Sequence, residues 1–337
     1  MPSKKSISIF LKFLIVLLAF LFLYNQLNIQ GNSNLDIDSI IENIKRASLF
    51  NTKLSLTLMV FMMMFVNWTL EAFKWRFMIK KIENISIQTS LRAVFTGITV
   101  SSFTPNRIGE YGGRVFCLNK ADRVQAALIT VLGSMGQLLT TVVFGLIGLF
   151  YLFRMQELPA IEPNSDLYFF IGISILFFNA SLVYIYVNAS FLTILLKKIS
   201  WLSRFEKYTN VFSLYSTKEL LYVLIFSISR YLIFTTQFFI LFHLFDIDIP
   251  YLQAIAIISS MLVIISVIPI SLISPSAIIE IPFRFLVITL IFKSIPEFTE
   301  NVTDALSATF ILWIINLIIP TLIGSMFVFT LNFFRKK

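Results

Sequence analysis

The stretch "SSFTPNRIGEYGGRVF", Ser101 to Phe116, sets Arg107, Glu110 and Arg114, one proline and three glycines between two apolar runs. Those charges need an account because the chain around them is 57% hydrophobic, 15% aromatic and only 13% charged, with a mean hydropathy of +0.85. Soluble domains carry about 25% charged residues. A protein core cannot absorb this much apolar surface, so the solvent is lipid. The chain reads as an all-α polytopic membrane protein.

Working outward, apolar segments fall at about 7–24, 54–73, 89–103, 126–152, 167–187, 219–245, 252–281 and 304–331, with a shorter one at 282–292. The first, "ISIFLKFLIVLLAFLFLY", follows basic residues but lacks a small-residue cleavage site. At about 18 residues it spans about 27 Å as a helix, so it reads as a retained anchor. The net charge of +9 does not point to nucleic acid, because the basic residues cluster at the ends of apolar spans. With one cysteine, Cys117, an internal disulfide and a cysteine-based metal site are both excluded, and no motif calls for a cofactor. The lone His243, in "FFILFHLF", reads as bundle-facing or interfacial. The polar stretch Asn188–Lys218, with Lys197, Lys198, Arg204 and Lys207 among aromatics, suits an amphipathic helix on the inner leaflet.

Charge then sets the topology. Lys4, Lys5, Lys74, Arg76, Lys80, Lys81, Lys120, Arg123, Lys197, Lys198, Arg204, Lys207 and Arg335–Lys337 mark one side. Asp36, Asp38, Glu42, Glu157, Glu162, Asp166, Asp246, Asp248, Glu297, Glu300 and Asp304 mark the other. Basic flanks face the cytoplasm, which puts both termini inside a cell inner (plasma) membrane. Yet Lys80/Lys81 and Lys120/Arg123 both belong inside with an apolar segment between them. Asp246/Asp248 and Glu297/Glu300 both belong outside, again with apolar sequence between. Two re-entrant hairpins resolve the conflict, one from the cytoplasm at about 89–122 and one from outside at about 252–292. Six full crossings remain, at 7–24, 54–73, 126–152, 167–187, 219–245 and 304–331.

The two hairpins read alike. "FTPNRIGEYGGR" and "ISPSAIIEIPFR" align without gaps, pairing Pro105 with Pro275, Glu110 with Glu280 and Arg114 with Arg284 at an offset of 170. Ser101 and Thr104 face Ser271 and Ser274. The spans follow a similar offset, so the chain reads as a single transmembrane domain, 1–337, of two inverted halves, about 1–155 and 156–337. Inverted repeats with broken helices near the midplane are a recurring transporter plan.

A proline breaks a helix and frees backbone groups that lipid cannot satisfy, so such backbone is buried in protein or lines a wet cavity. Gly109, Gly112 and Gly113 permit a close backbone approach or an unusual turn. Glutamate four residues before arginine permits an ion pair on one helical face, for Glu110–Arg114 and for Glu280–Arg284. Each charge at the bilayer centre costs roughly 2.5–3.5 kcal/mol on the insertion scale, so these must compensate one another or meet something polar. Two readings stand: the pairs staple each hairpin, or with Arg107 they form a polar site for a charged headgroup or ion. Arg230, in "SISRYLIFTTQFF" with Gln237 two turns on, either snorkels or faces the bundle interior; mid-depth favours the interior. Glu71, in "NWTLEAFKWR", reads as an interfacial pair with Lys74 or as part of Trp-anchored packing near the cytoplasmic end.

"TPNRIGEYGGR", preceded by "NWTLEAFKWR" and followed by "IPISLISPSAIIE", resembles the lysylphosphatidylglycerol synthase transmembrane-region (flippase-like) family over essentially the whole chain. The Pro105–Gly109–Glu110–Arg114 pattern matches the family's first motif. In the second, Pro275 and Glu280 carry over, but Ser276, Ala277, Ile278 and Ile279 stand where the family has glycines. The chain ends at Lys337 directly after its last span, without the C-terminal aminoacyl-transferase domain of some members. The resemblance therefore implies lipid translocation or handling without the synthesis step.

The expected function is thus a lipid flippase or transporter, not an enzyme. Its partner would be a membrane lipid with a charged headgroup, held at Pro105, Arg107, Glu110, Arg114, Arg230, Pro275, Glu280 and Arg284. The alternative is an accessory or scaffold subunit of a membrane glycosyltransferase or lipid-modifying system, acting as a homo-oligomer or beside a partner membrane enzyme. An intramembrane enzyme finds no support, since no HExxH, GxSxG or Asp-rich motif is present.

Overall fold

A bilayer forces a spanning backbone to satisfy its own hydrogen bonds, which helices do. The described residues contain helices and no strand. The computed structural model describes residues 4–31, 37–47, 53–104, 108–155, 165–188, 210–268 and 280–331. The expectations for Pro105, Arg107, Pro275, the side chain of Glu280 and the amphipathic stretch at 189–209 fall outside them.

The helices are α1 (Lys4–Gly31), α2 (Ile37–Arg46), α3 (Leu54–Ile79), α4 (Ile87–Ser102), α5 (Gly109–Val115), α6 (Arg123–Met155) and α7 (Ser165–Val187). There follow α8 (Thr217–Leu244), α9 (Tyr251–Val267), α10 (Glu280–Ser294), α11 (Val302–Trp313) and α12 (Ile319–Val328). Among the described residues, five stretches are long and apolar enough to cross a membrane: Leu54–Ile79, Arg123–Met155, Asp166–Val187, Thr217–Leu244 and Pro296–Val328. They coincide with five of the six expected crossings, and the sixth, 7–24, lies within α1. The protein is a multi-pass α-helical membrane protein.

The expected hairpin at 89–122 consists of α4 and α5. At 16 residues α4 is about 24 Å long, and α5, at seven, about 10 Å. Ser86 caps α4 by accepting from the Thr89 N–H. Both ends of this segment meet at Glu83, just before α4. Its carboxylate accepts the N–H groups of Asn119 (3.1 Å), Lys120 (2.8 Å) and Ala121 (2.7 Å), just beyond α5. The two helices touch closely, since a Cβ on Gly113 would lie 2.8 Å from the Gly97 Cα. In the second such segment, α9 and α10, Phe292 near the end of α10 packs on Phe242 near the end of α8, with ring centroids 5.6 Å apart. Tyr251, at the start of α9, packs on Phe239 of α8.

These two helix pairs pack crosswise. The first lays α4 on α12, the second lays α9 on α6, and α3 runs against α8. Small residues admit these contacts, as is usual between helices in lipid. A Cβ at Gly324 of α12 would strike the Phe95 carbonyl of α4, and one at Gly148 of α6 would lie 2.8 Å from the Ala256 carbonyl oxygen of α9. Thr99 Oγ1 adds a bond across the first contact to the Thr321 carbonyl, 2.9 Å.

Between α11 and α12 the chain makes a π-helical turn, Ile314–Ile318. Pro320 lies just beyond it and has no N–H to give the Asn316 carbonyl, which accounts for the widened turn.

Candidate functional site

In lipid a helix turns its polar face inward, and α3 does so. Val60, Met64, Asn67, Trp68, Glu71, Lys74, Trp75 and Met78 are buried at three- and four-residue spacing, while Leu58, Met59, Met62, Phe65, Val66 and Phe73 face outward. The buried row carries Glu71 into the bundle, where three cations converge on it. Lys74 Nζ lies 2.7 Å from Oε2, and Arg114 donates to Oε1 at 2.8 Å. Arg230 Nη1 also donates to Oε2. The other amino group of Arg114 donates to Glu110, one turn back on α5. The side chains of Lys74 and Arg114 are each 2% exposed, while Arg230 and Glu110 are 13% and 20% exposed, so the network is closed at its centre and open only at its edges.

Arg230, on α8, is held from several sides. Its Nε donates to Asn67 Oδ1 (2.9 Å), its Nη1 also donates to Gln137 Oε1 (3.2 Å), and its guanidinium lies 5.3 Å from the Trp68 ring centroid. Here the network meets a cavity of about 240 Å³ between α3, α6, α8, α9, α10 and the α11–α12 rod. Asn67, Trp68, Gln137, Arg230, Arg284 and Asn316 supply its polar wall. Asn316, in the π turn, donates its amide to Gln237 Oε1 at 3.0 Å, and Gln237 donates to the Val60 carbonyl at 2.8 Å. Among the described residues two buried polar atoms of the lining residues have no partner: Trp68 Nε1, a donor, and Asn316 Oδ1, an acceptor. Groups of this kind are matched in nearly all folded proteins, so this pair at one cavity is available to a ligand or to water.

Charge is not balanced there. Lys74, Arg114 and Arg230 face two carboxylates, Glu71 and Glu110. The arrangement suits an oxyanion, which guanidinium groups bind with charge-assisted hydrogen bonds.

Residues 9–324 match the family described as lysylphosphatidylglycerol synthase TM region. The chain belongs to this family. A comparison with curated proteins gives no match.

In this family member the sequence-predicted residues divide into two groups. Arg230 and Arg284 come together on the cavity wall, one from α8 and one from α10. Glu110 and Arg114 make the expected i,i+4 pair but stand behind the wall, joined to it through Glu71. Arg230 faces the bundle, as its mid-depth position predicts. Glu71 does pair with Lys74, but as the buried centre of the network rather than at an interface.

The sequence puts Glu71 on one face with Asn67 and Lys74, repeating every three to four residues inside an apolar span, but local sequence reads that face as interfacial rather than as the centre of a site. Trp68, Gln137 and Asn316 are not singled out. For Asn316 the usable mark was Pro320, four residues on. Gln137 stands among glycines and threonines of α6 and had no such mark.

Proposed function

We propose that this membrane protein binds and translocates a lipid with an anionic headgroup, without chemical conversion, at the cavity between its two hairpins. One observation carries the reading: Arg230 and Arg284 share a cavity wall with an indole N–H and an amide oxygen that have no partner. A phosphate fits the arginines and the indole N–H, and a hydroxyl or amine elsewhere on a headgroup fits the amide oxygen. A headgroup at this depth replaces water with fixed donors, as the interior of a bilayer demands.

In this reading α4–α5 and α9–α10 are re-entrant hairpins of two inverted halves, entering from the cytoplasm and from outside. The return of the first to Glu83 supports it, as does the crosswise packing of α4 on α12 and α9 on α6. Both termini would then face the cytoplasm at the inner membrane.

The test is the lipid that stays with the protein. Native mass spectrometry of protein extracted in mild detergent should find an anionic phospholipid bound to the wild type and absent from Arg230→Gln. Equal retention by both, or retention of uncharged lipids in the same proportion as the membrane, contradicts the headgroup site.

A further inference from the structure

The cavity and the first hairpin share no described lining residue, and Glu71 lies between them. One of its oxygens takes Arg230 from the cavity wall, and the other takes Arg114 from α5 at 2.8 Å. Lys74, on α3 itself, sits 2.7 Å from the oxygen that Arg230 uses. One carboxylate thus serves cations from three helices. At a centre closed to water, charges are little screened, and any new charge redistributes the attraction among those present.

An oxyanion arriving beside Arg230 and Trp68 competes with Glu71 for one guanidinium. As Arg230 turns toward the ligand, the carboxylate is left to Arg114 and Lys74, and its hold on α5 tightens. We infer that Glu71 is a resident counter-anion that couples occupation of the cavity by an oxyanion to the seating of the first hairpin. This role rests on the reading of the cavity as a headgroup site. Glu71 is here a positioning residue, since it acts through Arg230 and Arg114 and need not touch the ligand.

The hairpin carries its own reporter. Cys117 follows α5 directly, its Sγ lies 3.7 Å from the Gly113 carbonyl oxygen, and it is buried. Burial shields the thiol, so labelling is slow. As the chain's one cysteine, it reports the seating of α5 without engineering.

The experiment uses the full chain in detergent, titrated with dihexanoylphosphatidylglycerol, dihexanoylphosphatidylcholine or inorganic phosphate. Tryptophan fluorescence from Trp68 and Trp313 on the cavity wall reports binding, and the maleimide labelling rate of Cys117 reports the hairpin. In the wild type the anionic lipid should change the fluorescence and slow labelling several-fold, while phosphatidylcholine does neither. In Glu71→Gln the fluorescence response should persist at lower lipid concentration, because Arg230 has lost its competitor, and the labelling rate should ignore the lipid. Glu71→Asp, which keeps the charge but is too short to bridge both arginines, covers failure of the glutamine variant to fold. It too should bind with a diminished labelling response. A full labelling response in either folded variant overturns the coupling, as does a wild type that binds without any change at Cys117. A response to inorganic phosphate as strong as to lipid upholds the coupling and makes the ligand a free oxyanion. Absence of any fluorescence response in the wild type overturns the headgroup site itself.

Discussion

Glu71 carries more of the site's electrostatics than any residue picked out by motif. Breaking a buried ion pair by removing one partner costs about 3–5 kcal/mol, so Glu71→Leu should destabilise by that order, measured by thermal unfolding in detergent. Because Glu71 and Glu110 share Arg114, their losses should couple: Glu71→Gln with Glu110→Gln should depart from the sum of the single variants. The same sharing decides a charge swap. If the first motif were only a staple, Glu110→Arg with Arg114→Glu would be tolerated. With Glu71 in place the swap sets a second carboxylate against the first, and the protein should express poorly. Normal expression and thermal stability of the swapped protein would show that Arg114 does not meet Glu71. Arg230→Leu behaves differently, since losing an intramembrane charge does not hinder insertion; expression should hold while lipid retention falls.

At the scale of elements, small residues hold the crosswise packing together. Gly324→Leu would force α12 away from the Phe95 carbonyl, and Gly113→Leu would separate α5 from α4. Overpacking of this kind costs typically about 1–3 kcal/mol, so each variant should lower the unfolding temperature, whereas Gly112→Ala, whose Cβ would make only an ordinary contact with the Phe116 ring at 3.8 Å, should not. The return of the first hairpin has its own test. In a Cys117→Ser background, cysteines at Lys81 and Lys120 should label from the same side of the membrane, and labelling from opposite sides would refute the hairpin. Much at this scale was readable from sequence. Length and hydropathy placed the long apolar helices, and conflicting charges at Lys80/Lys81 and Lys120/Arg123 drew attention to the segment that holds α4 and α5. The pairing of α4 with α12 and α9 with α6 was not readable, because Gly145, Gly148 and Gly324 lie in spans whose packing partners sequence does not name. Nor was the centre of the site. Glu71 sits three residues from Lys74 near an apparent span end, where local sequence alone reads as an interface. Its partners Arg114 and Arg230 are 43 and 159 residues away, and only the fold brings them together.

For the whole molecule, the fold sets an excess of positive charge inside a bundle with an apolar exterior. α7 presents Phe169, Phe170, Ile173, Leu176 and Phe177 to lipid, and α3 presents Leu58, Met62 and Phe65. Charges inside a bilayer are costly and mark substrate or ion pathways, so a cation excess beside this cavity favours an anionic occupant. In the proposed reading a lipid whose headgroup enters while its chains stay outside meets that need, and the buried charges serve its movement. The most direct measurement is translocation of a fluorescent phosphatidylglycerol between the leaflets of proteoliposomes, followed by dithionite quenching. The account predicts that the wild type speeds translocation over protein-free vesicles, that Arg230→Gln returns it to the protein-free rate, and that fluorescent phosphatidylcholine moves more slowly than the anionic lipid. Wild-type protein that retains anionic lipid yet leaves the protein-free rate unchanged would contradict translocation and favour a scaffold for a lipid-modifying partner.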